Sequence, residues 1–531
     1  MAQLEPLIIR VAVPSPLRRT FDYLIPENLG LSTTDSSVQP GCRVMVPFGK
    51  RQVTGLIIEL GNSSEFALEK LKPVSELIDP EPLLPESLFK LFIWAANYYQ
   101  HPIGDALFST LPVLLRTGAL PPAQGQHCWQ LTTHGKGLGA DSLKQARRQR
   151  ALVALIPAQG PAVAEDLILQ TFSRAIVKQL EQKQLIEPTF VSSPPSAASN
   201  LLKQDHLPLD QSQQAAMDQI EHHGFNSYLL DGVTGSGKTE IYLQSIEKIL
   251  RYDRQALVLI PEISLTPQTE KRFRDRFNVP MVTLHSGLSD RQRLDAWMQA
   301  KTGQARIIMG TRSAIFTPLQ SPGLIILDEE HDQSYKQQEG FRYSARDLAV
   351  IRAHQENIPI ILGSATPSLE SLNNRDNQRY KHLVLSTRAG SAVQPDWRIV
   401  DLKAERVESG LAPSTMAAIG TALSNKQQAL VFLNRRGFAP AMLCHQCGWS
   451  AECHQCDSRL TVHRARHRLI CHHCDFQQRI PQQCPSCQSQ QLIPVGEGTE
   501  RSEAFLQQSF PDSQVIRVDR DSTRRKGAMQ A

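Results

Sequence analysis

The chain is 531 residues long, 41% hydrophobic and 21% charged, with a net charge of +5. That length exceeds a single hydrophobic core and implies several domains, and the mild positive charge permits nucleic acid as a partner without arguing for it. The N-terminal "MAQLEPLIIRVAVP" lacks the basic and apolar regions of a signal peptide. No run approaches about 18 apolar residues, so a soluble, cytoplasmic protein with no membrane partner is expected.

Residues 1–115 open with alternating runs, "IIRVAVP", "CRVMVPFG" and "TGLIIEL", and continue into the helical "ESLFKLFIWAANYY". This pattern predicts a β-rich domain closed by a helix. After the Pro/Gly-rich "LRTGALPPAQGQH", residues 128–190 carry three short helical patterns and a strand-like "LIEP". They suit a small winged-helix-like domain, with a plain helical spacer as the alternative reading. The stretch "TFVSSPPSAASNLLKQDH" is a second linker.

From residue 207 the rhythm becomes strand, loop, helix: "SYLL", "ALVLIP", "MVTLH", "ARIIMG", "LIILDEE", "IPIILGSAT". Short apolar runs that alternate with amphipathic stretches predict a parallel sheet covered by helices over 207–390. The rhythm resumes at "WRIVDL" and "QALVFLN", is interrupted by a cysteine block, and returns at "QVIRVD", which makes 396–531 a second, incomplete lobe with an insertion at 441–490.

Residues 232–239, "GVTGSGKT", satisfy G-x-x-x-x-G-K-[ST] between a strand and a helix. Gly232, Gly235, Ser236 and Gly237 would let backbone N–H groups wrap phosphates, Lys238 would hold the β- and γ-phosphates, and Thr239 would ligate Mg²⁺. Asp328, at the end of the apolar "LIIL", is placed to bind Mg²⁺, and Glu329 to orient and deprotonate a water. "LDQSQQAAMDQI" has the look of an adenine-reading segment with Gln213 as its side chain; a plain amphipathic helix is the other reading. In "HDQSYKQQEGFRYSARDLA", Tyr335, Phe341 and Tyr343 interleave with Lys336, Arg342 and Arg346. Rings that stack on bases while cations hold phosphates would explain this, and so would rings packed at a helix interface.

"GVTGSGKT", "LIPEISLTPQ", "GTRSAIF", "DEEH", "GSATPS" and "FLNRRGFAP" occur in the order of motifs I to IV of superfamily-2 helicases. The resemblance implies that "PEISLTPQ" and "GTRSAIF" line a nucleic-acid track. It also implies that His331, Ser364 and Thr366 couple hydrolysis to lobe movement, and that the aromatic-rich loop senses single-stranded DNA.

Eight of the ten cysteines fall within residues 444–487 as four Cys-x-x-Cys pairs. In a reducing compartment such pairs mean metal rather than disulfides, and eight thiolates make two Cys₄ zinc sites. A nested scheme would join Cys444, Cys447, Cys484 and Cys487 in one site and Cys453, Cys456, Cys471 and Cys474 in the other; sequential pairing stays open. Arg459, Arg464, Arg466 and Arg468 make the intervening hairpin basic, suiting a DNA or partner surface or simply a solvated face.

A helicase whose second lobe is interrupted by two Cys₄ sites resembles the bacterial primosomal replication-restart helicases. The family implies ATP, Mg²⁺ and two Zn²⁺ as cofactors. As partners it implies forked and single-stranded DNA, primosome and helicase-loading proteins, and single-stranded-DNA-binding protein. By the same resemblance "VAVPSPLRRTFDYLIP" and "GCRVMVPFGKRQVTGLIIEL" look like a 3′-DNA-end-binding domain, with Phe21, Asp22, Tyr23, Gly49 and Lys72 as its pocket. The implied activity is an ATP-dependent 3′-to-5′ DNA helicase that recognises abandoned forks and starts primosome assembly.

The sequence departs from that pattern after "GEGTE". It contains no Q-x-x-G-R-x-x-R segment beyond residue 400, so motifs V and VI are missing. Arginine fingers contribute roughly 10³–10⁵ in rate in related phosphoryl-transfer systems. A C-terminally truncated chain that binds ATP and forks but hydrolyses poorly is therefore expected, with a non-catalytic fork-binding platform as the alternative.

Overall fold

The computed structural model describes residues 7–26, 38–121, 126–137, 146–191, 200–262, 264–388, 395–402, 405, 407–432, 441–456, 458–463, 467–471, 473–495 and 499–518. The chain divides into two compact units, Met1–Val393 and Gln394–Ala531. Among the described residues no helix is long and apolar enough to cross a membrane.

The first unit begins with a six-stranded sheet in the order Lys72–Pro73, Phe21–Leu24, Ile8–Ala12, Arg51–Gly61, Arg43–Phe48, Glu76–Leu77. Alternating side chains send Ile9, Val11, Val44, Val46 and Ile57 into its core. A register shift between Arg10 and Val11 puts a bulge in the long strand Arg51–Gly61, which bends it. Helix Glu86–Tyr98 buries Leu88, Phe89, Leu91, Phe92, Ala95 and Ala96, the one-face spacing of an amphipathic helix. Phe92 stacks on Phe316 of the parallel-sheet domain at 4.7 Å. Arg43 is fully buried and neutralised by Asp79 through two guanidinium bonds of 2.8 Å. It also donates to the carbonyls of Leu115 and Ala119, tying the sheet to the chain that leaves it.

Next comes a three-stranded antiparallel sheet (Val163–Ala164, Gln126–Leu131, Ile186–Val191) with helices Arg147–Gln159, Glu165–Thr171 and Arg174–Gln182. Leu152, Ile156, Ile168, Val177, Leu180 and Ile186 form its own core, so this segment is a packed module and not a spacer.

The largest element is a seven-stranded sheet, parallel throughout, in the order Met281–Leu284, Ile307–Gly310, Gln255–Leu259, Pro322–Leu327, Ile360–Ser364, Ser227–Gly232, Lys381–Leu385. Its central strands are buried along their whole length, as parallel strands covered by helices on both faces must be. Asp210, Thr266, Ser289, Ser344 and Ser368 each accept a backbone N–H at a helix N-terminus, which satisfies donors the helix cannot. The strand order places the ends of Ser227–Gly232, Pro322–Leu327 and Ile360–Ser364 side by side, where ligands bind in open α/β sheets.

The second unit holds a five-stranded sheet, Gln477–Arg479, Arg468–Ile470, Thr461–His463, Ala441–Cys444, Leu492–Val495, antiparallel throughout. Beside it helices Pro413–Ser424 and Thr499–Ser509 share a small core of Leu411, Ile419 and Leu506. The further parallel strands expected at "WRIVDL", "QALVFLN" and "QVIRVD" are not formed among the described residues: Trp397, Ile399, Leu430, Phe432, Ile516 and Val518 are exposed. Val431 and Val515 pack against the small apolar core, but the exposed residues leave these runs without the cover on both faces that a parallel strand needs. Residues 433–440, most of "FLNRRGFAP", lie outside the described residues.

Candidate functional site

The loop after Ser227–Gly232 turns through Gly235 (φ +80°) and Gly237 (φ +81°), conformations that favour glycine. Gly232 has no room for a side chain, since a Cβ there would lie 2.5 Å from Ser236 Oγ. The loop opens helix Lys238–Arg251 and borders a cavity of about 530 Å³. Lys238, Thr239, Asp328 and Glu329 all line it, so residues separated by 90 positions meet at one place. Lys238 Nζ rests on the Gly232 carbonyl at 2.7 Å. One wall is braced by a buried bidentate pair, Arg276 to Glu240, at 3.0 and 2.8 Å.

Gln213 does not face open space as an adenine reader would. It is buried, its Oε1 accepts from Asp210 N–H in a capping box, and its Nε2 donates to the Ser236 carbonyl at 2.9 Å. Its amide supports the phosphate loop from below.

Asp328 is nearly buried, and burial raises its carboxyl pKa against the opposing hydrogen bond from Tyr242 and the charge of Lys238. The Tyr242 hydroxyl donates to Asp328 Oδ1 at 2.9 Å; burial and the neighbouring carboxylates drive that phenol well above its ordinary value, so it remains a donor. Glu329 adopts φ +47°, a left-handed conformation costing about 1–2 kcal/mol for a residue with a Cβ. Its Oε2 lies 3.6 Å from His331 Nδ1. The same ring nitrogen is 2.7 Å from Ser364 Oγ, and His331 Nε2 is 3.4 Å from Thr366 Oγ1. His331, Ser364 and Thr366, the three residues assigned to coupling, thus form one hydrogen-bonded group, with the Glu329 carboxylate next to it.

Glu330 was given no role by sequence reasoning and is the most heavily used carboxylate of the four-residue box. Buried, it accepts from Ser368 N–H (2.7 Å), Ser368 Oγ (3.0 Å) and Ser371 Oγ (2.8 Å), with Arg346 at 3.3 Å. It pins the helix that follows "GSATPS" to the acidic box. The only sequence signal was an extra acid beside two functional ones.

The aromatic loop is a correction. Tyr335, Phe341 and Tyr343 are 2%, 3% and 5% exposed and cannot stack on bases in this conformation. Phe341 and Tyr343 pack with Phe316 in the seam against the N-terminal domain, where Ser344 N–H donates to Tyr99 Oη. The Tyr335 hydroxyl lies 2.7 Å from the Asp328 carbonyl. Rings gain more from this seam than from water. Lys336 and Arg342 remain exposed, the former with Nζ 4.9 Å from the centre of the Tyr99 ring.

The five residues assigned to a 3′-end pocket do not share one face. Tyr23 is buried in the sheet core and donates to the Pro47 carbonyl at 3.2 Å. Phe21, on its side of the strand, meets Phe48 edge-on at 5.1 Å, beside the exposed Gly49. Lys72 is exposed and pairs in register with Tyr23. Asp22 points to the opposite face, accepting from Ser64 Oγ at 2.5 Å and lying 3.8 Å from Arg10 Nε.

In the second unit the thiols gather as Cys444, Cys447, Cys484, Cys487 and as Cys453, Cys456, Cys471, Cys474, the nested grouping. Facing sulfurs are 3.4–3.6 Å apart across Cys444–Cys487, Cys447–Cys484, Cys453–Cys474 and Cys456–Cys471. Disulfide sulfurs would lie about 2.05 Å apart, whereas tetrahedral zinc–thiolate bonds of about 2.3 Å put sulfurs about 3.8 Å apart. The donor set therefore fits zinc. No histidine joins either cluster among the described residues; Arg459 and Arg468 are exposed, and Arg464 and Arg466 lie outside the described residues.

A phosphate loop and an acidic box at the ends of one parallel sheet define a helicase-type ATPase, and the DEAD/DEAH box helicase family model matches residues 210–374. The model of a 3′ DNA-binding domain matches residues 10–112, and that of the Cys-rich region of the PriA DNA helicase matches 453–479. The replication restart protein PriA of Haemophilus influenzae is 44% identical over 98% of this chain and 71% of that protein. The Bacillus subtilis replication restart protein PriA is 34% identical over 96% of this chain and 72% of its own. Among solved structures, the Hef helicase domain of Pyrococcus furiosus covers 33% of this chain and 37% of that one at 22% identity and a TM-score of 0.27, too low to carry an argument. The chain belongs to the replication restart protein PriA family.

Proposed function

We propose that this chain is the ATP-driven, DNA-translocating part of a replication-restart machine. It would engage forks through the N-terminal sheet, move 3′ to 5′ on single-stranded DNA, and initiate primosome assembly. The observation that carries the reading is the meeting of Lys238, Thr239, Asp328 and Glu329 in one cavity, with Glu329 beside the His331, Ser364 and Thr366 group.

In this reading Lys238 leaves the Gly232 carbonyl to hold the terminal phosphates, and the loop N–H groups and the helix N-terminus hold the rest. Thr239 and Asp328 supply hard oxygen donors that suit Mg²⁺, which when bound would neutralise charge developing on the phosphates. Glu329 accepts the proton of the attacking water. His331, through Ser364 and Thr366, passes a change at Glu329 to the end of strand Ile360–Ser364. In the N-terminal sheet, Phe21, Gly49 and Lys72 are the groups offered to a 3′ terminus on one side, with Tyr23 supporting them from the core and Asp22 on the other face. The nested thiol clusters flank a small apolar core of Met442, Leu460, Val462 and Leu469, and zinc would supply much of the module's folding energy. Exposed Lys336 and Arg342 meet the backbone of the DNA. Primosome proteins, helicase-loading proteins and single-stranded-DNA-binding protein are the proposed protein partners.

The second reading is a fork-binding platform with a regulatory nucleotide site. Replacing Lys238 by Ala separates the two. The motor reading predicts loss of fork-stimulated ATP hydrolysis with fork binding retained; the platform reading predicts no fork-stimulated hydrolysis to lose.

A further inference from the structure

Tyr242 is a residue that neither the phosphate loop nor the acidic box accounts for. It follows Lys238 by four positions on helix Lys238–Arg251, so the two side chains leave the helix on the same face. The ring is 2% exposed, and its hydroxyl ends 2.9 Å from Asp328 Oδ1. The third strand of this junction also makes room for it. A Cβ on Gly363, in "GSATPS", would sit 1.6 Å from the phenol oxygen and 2.8 Å from Cζ. The main-chain carbonyl of Asp328 is meanwhile held by Tyr335 at 2.7 Å, and its N–H donates to the Leu259 carbonyl at 2.9 Å. The backbone of Asp328 is therefore fixed independently of Tyr242, and Tyr242 is the protein side chain that fixes the carboxylate.

We propose that Tyr242 is a positioning residue for the metal-binding carboxylate, resting on the nucleotide-site reading above. By occupying Oδ1 it sets the rotation of the Asp328 carboxylate and turns Oδ2 toward Thr239 and the phosphates. The Glu329 N–H also donates to this carboxylate, but one backbone donor leaves it a swing toward Lys238 across the cavity that the phenol blocks. Gly363 is glycine because a side chain there would displace the phenol, which explains a requirement of the "GSAT" segment at the level of the metal ligand. Partners that orient metal ligands from behind typically contribute about 10–100-fold in metal affinity.

The test is Mn²⁺ binding, read by electron paramagnetic resonance, to residues 1–531 saturated with a non-hydrolysable ATP analogue. A fluorescent ATP analogue is titrated in parallel without metal. Tyr242→Phe keeps the ring and removes the hydroxyl. It should weaken Mn²⁺ binding about tenfold or more while metal-free nucleotide affinity stays as in the parent. If Asp328→Asn already lacks the interaction, adding Tyr242→Phe to it should change nothing further. Parent-like Mn²⁺ affinity in Tyr242→Phe, or an equal further loss in the double variant, overturns the inference and leaves the nucleotide site standing. Failure of the parent chain to bind the nucleotide analogue, or binding indifferent to Lys238→Ala, overturns the nucleotide-site reading itself.

Discussion

A buried carboxylate is tolerated when its oxygens are filled with donors, and Glu330 meets that condition through Ser368, Ser371 and Arg346. Glu330→Gln keeps the shape but turns an amide N–H toward a site built from donors. The substitution should cost about 1–3 kcal/mol and should lower the melting temperature measured by circular dichroism. A parent-like melt would show that these bonds do not hold the helix after "GSATPS". His222 is a second case. Burial, aided by the charges of Lys248 and His223, lowers its pKa from 6.5 to about 4, and its Nε2 has no partner among the described residues. The unfolded chain therefore takes up this proton first as pH falls. Stability is present above about pH 6.5 and is lost between 6.5 and 4. His222→Asn should flatten part of that slope in melts taken across the window; an unchanged slope would remove His222 as its source. Neither residue was legible in the sequence, because a carboxylate's donors and a histidine's burial come from contacts distant along the chain.

At the scale of elements, legibility followed how local the determining signal is. The phosphate loop, its flanking strand and helix, and the parallel strands of the first unit announce themselves in runs of fewer than about ten residues, and the structure has them where the pattern put them; the similar runs at "WRIVDL", "QALVFLN" and "QVIRVD" form no strand among the described residues. Tyr335, Phe341 and Tyr343 were misread because interleaved rings and cations look alike whether they face DNA or a neighbour. What decides is the N-terminal domain, whose Phe92, Tyr99 and His101 reach the same seam. The thiol clusters lie at the other extreme: the residues that bind are the signal, and only their pairing needed three dimensions. Their dependence on metal gives a prediction. The chain should carry two zinc ions, and removing them with a chelator should make the eight clustered thiols reactive to a thiol reagent. The parallel sheet of the first unit, with its own apolar core, should keep its circular dichroism signal. Retention of thiol protection after zinc removal would contradict a metal-held module.

At the scale of the whole molecule, the chain joins a DNA-end domain, a helicase sheet and a Cys-rich module, the combination expected of a replication restart protein of this family. Within the first unit, Asp328 is tied through Tyr335 to the aromatic loop, and the loop through Ser344 to Tyr99 of the N-terminal domain. This is a continuous bonded path between the nucleotide cavity and the domain proposed to read DNA ends. Such a path would let nucleotide turnover and DNA-end reading be used together. The measurement that tests it most directly is steady-state ATP hydrolysis by residues 1–531, with and without a fork carrying a leading-strand 3′ end, in the parent and in Lys238→Ala. Coupling predicts hydrolysis that the fork stimulates and that Lys238→Ala abolishes. Hydrolysis indifferent to the fork, or unchanged in Lys238→Ala, would contradict it.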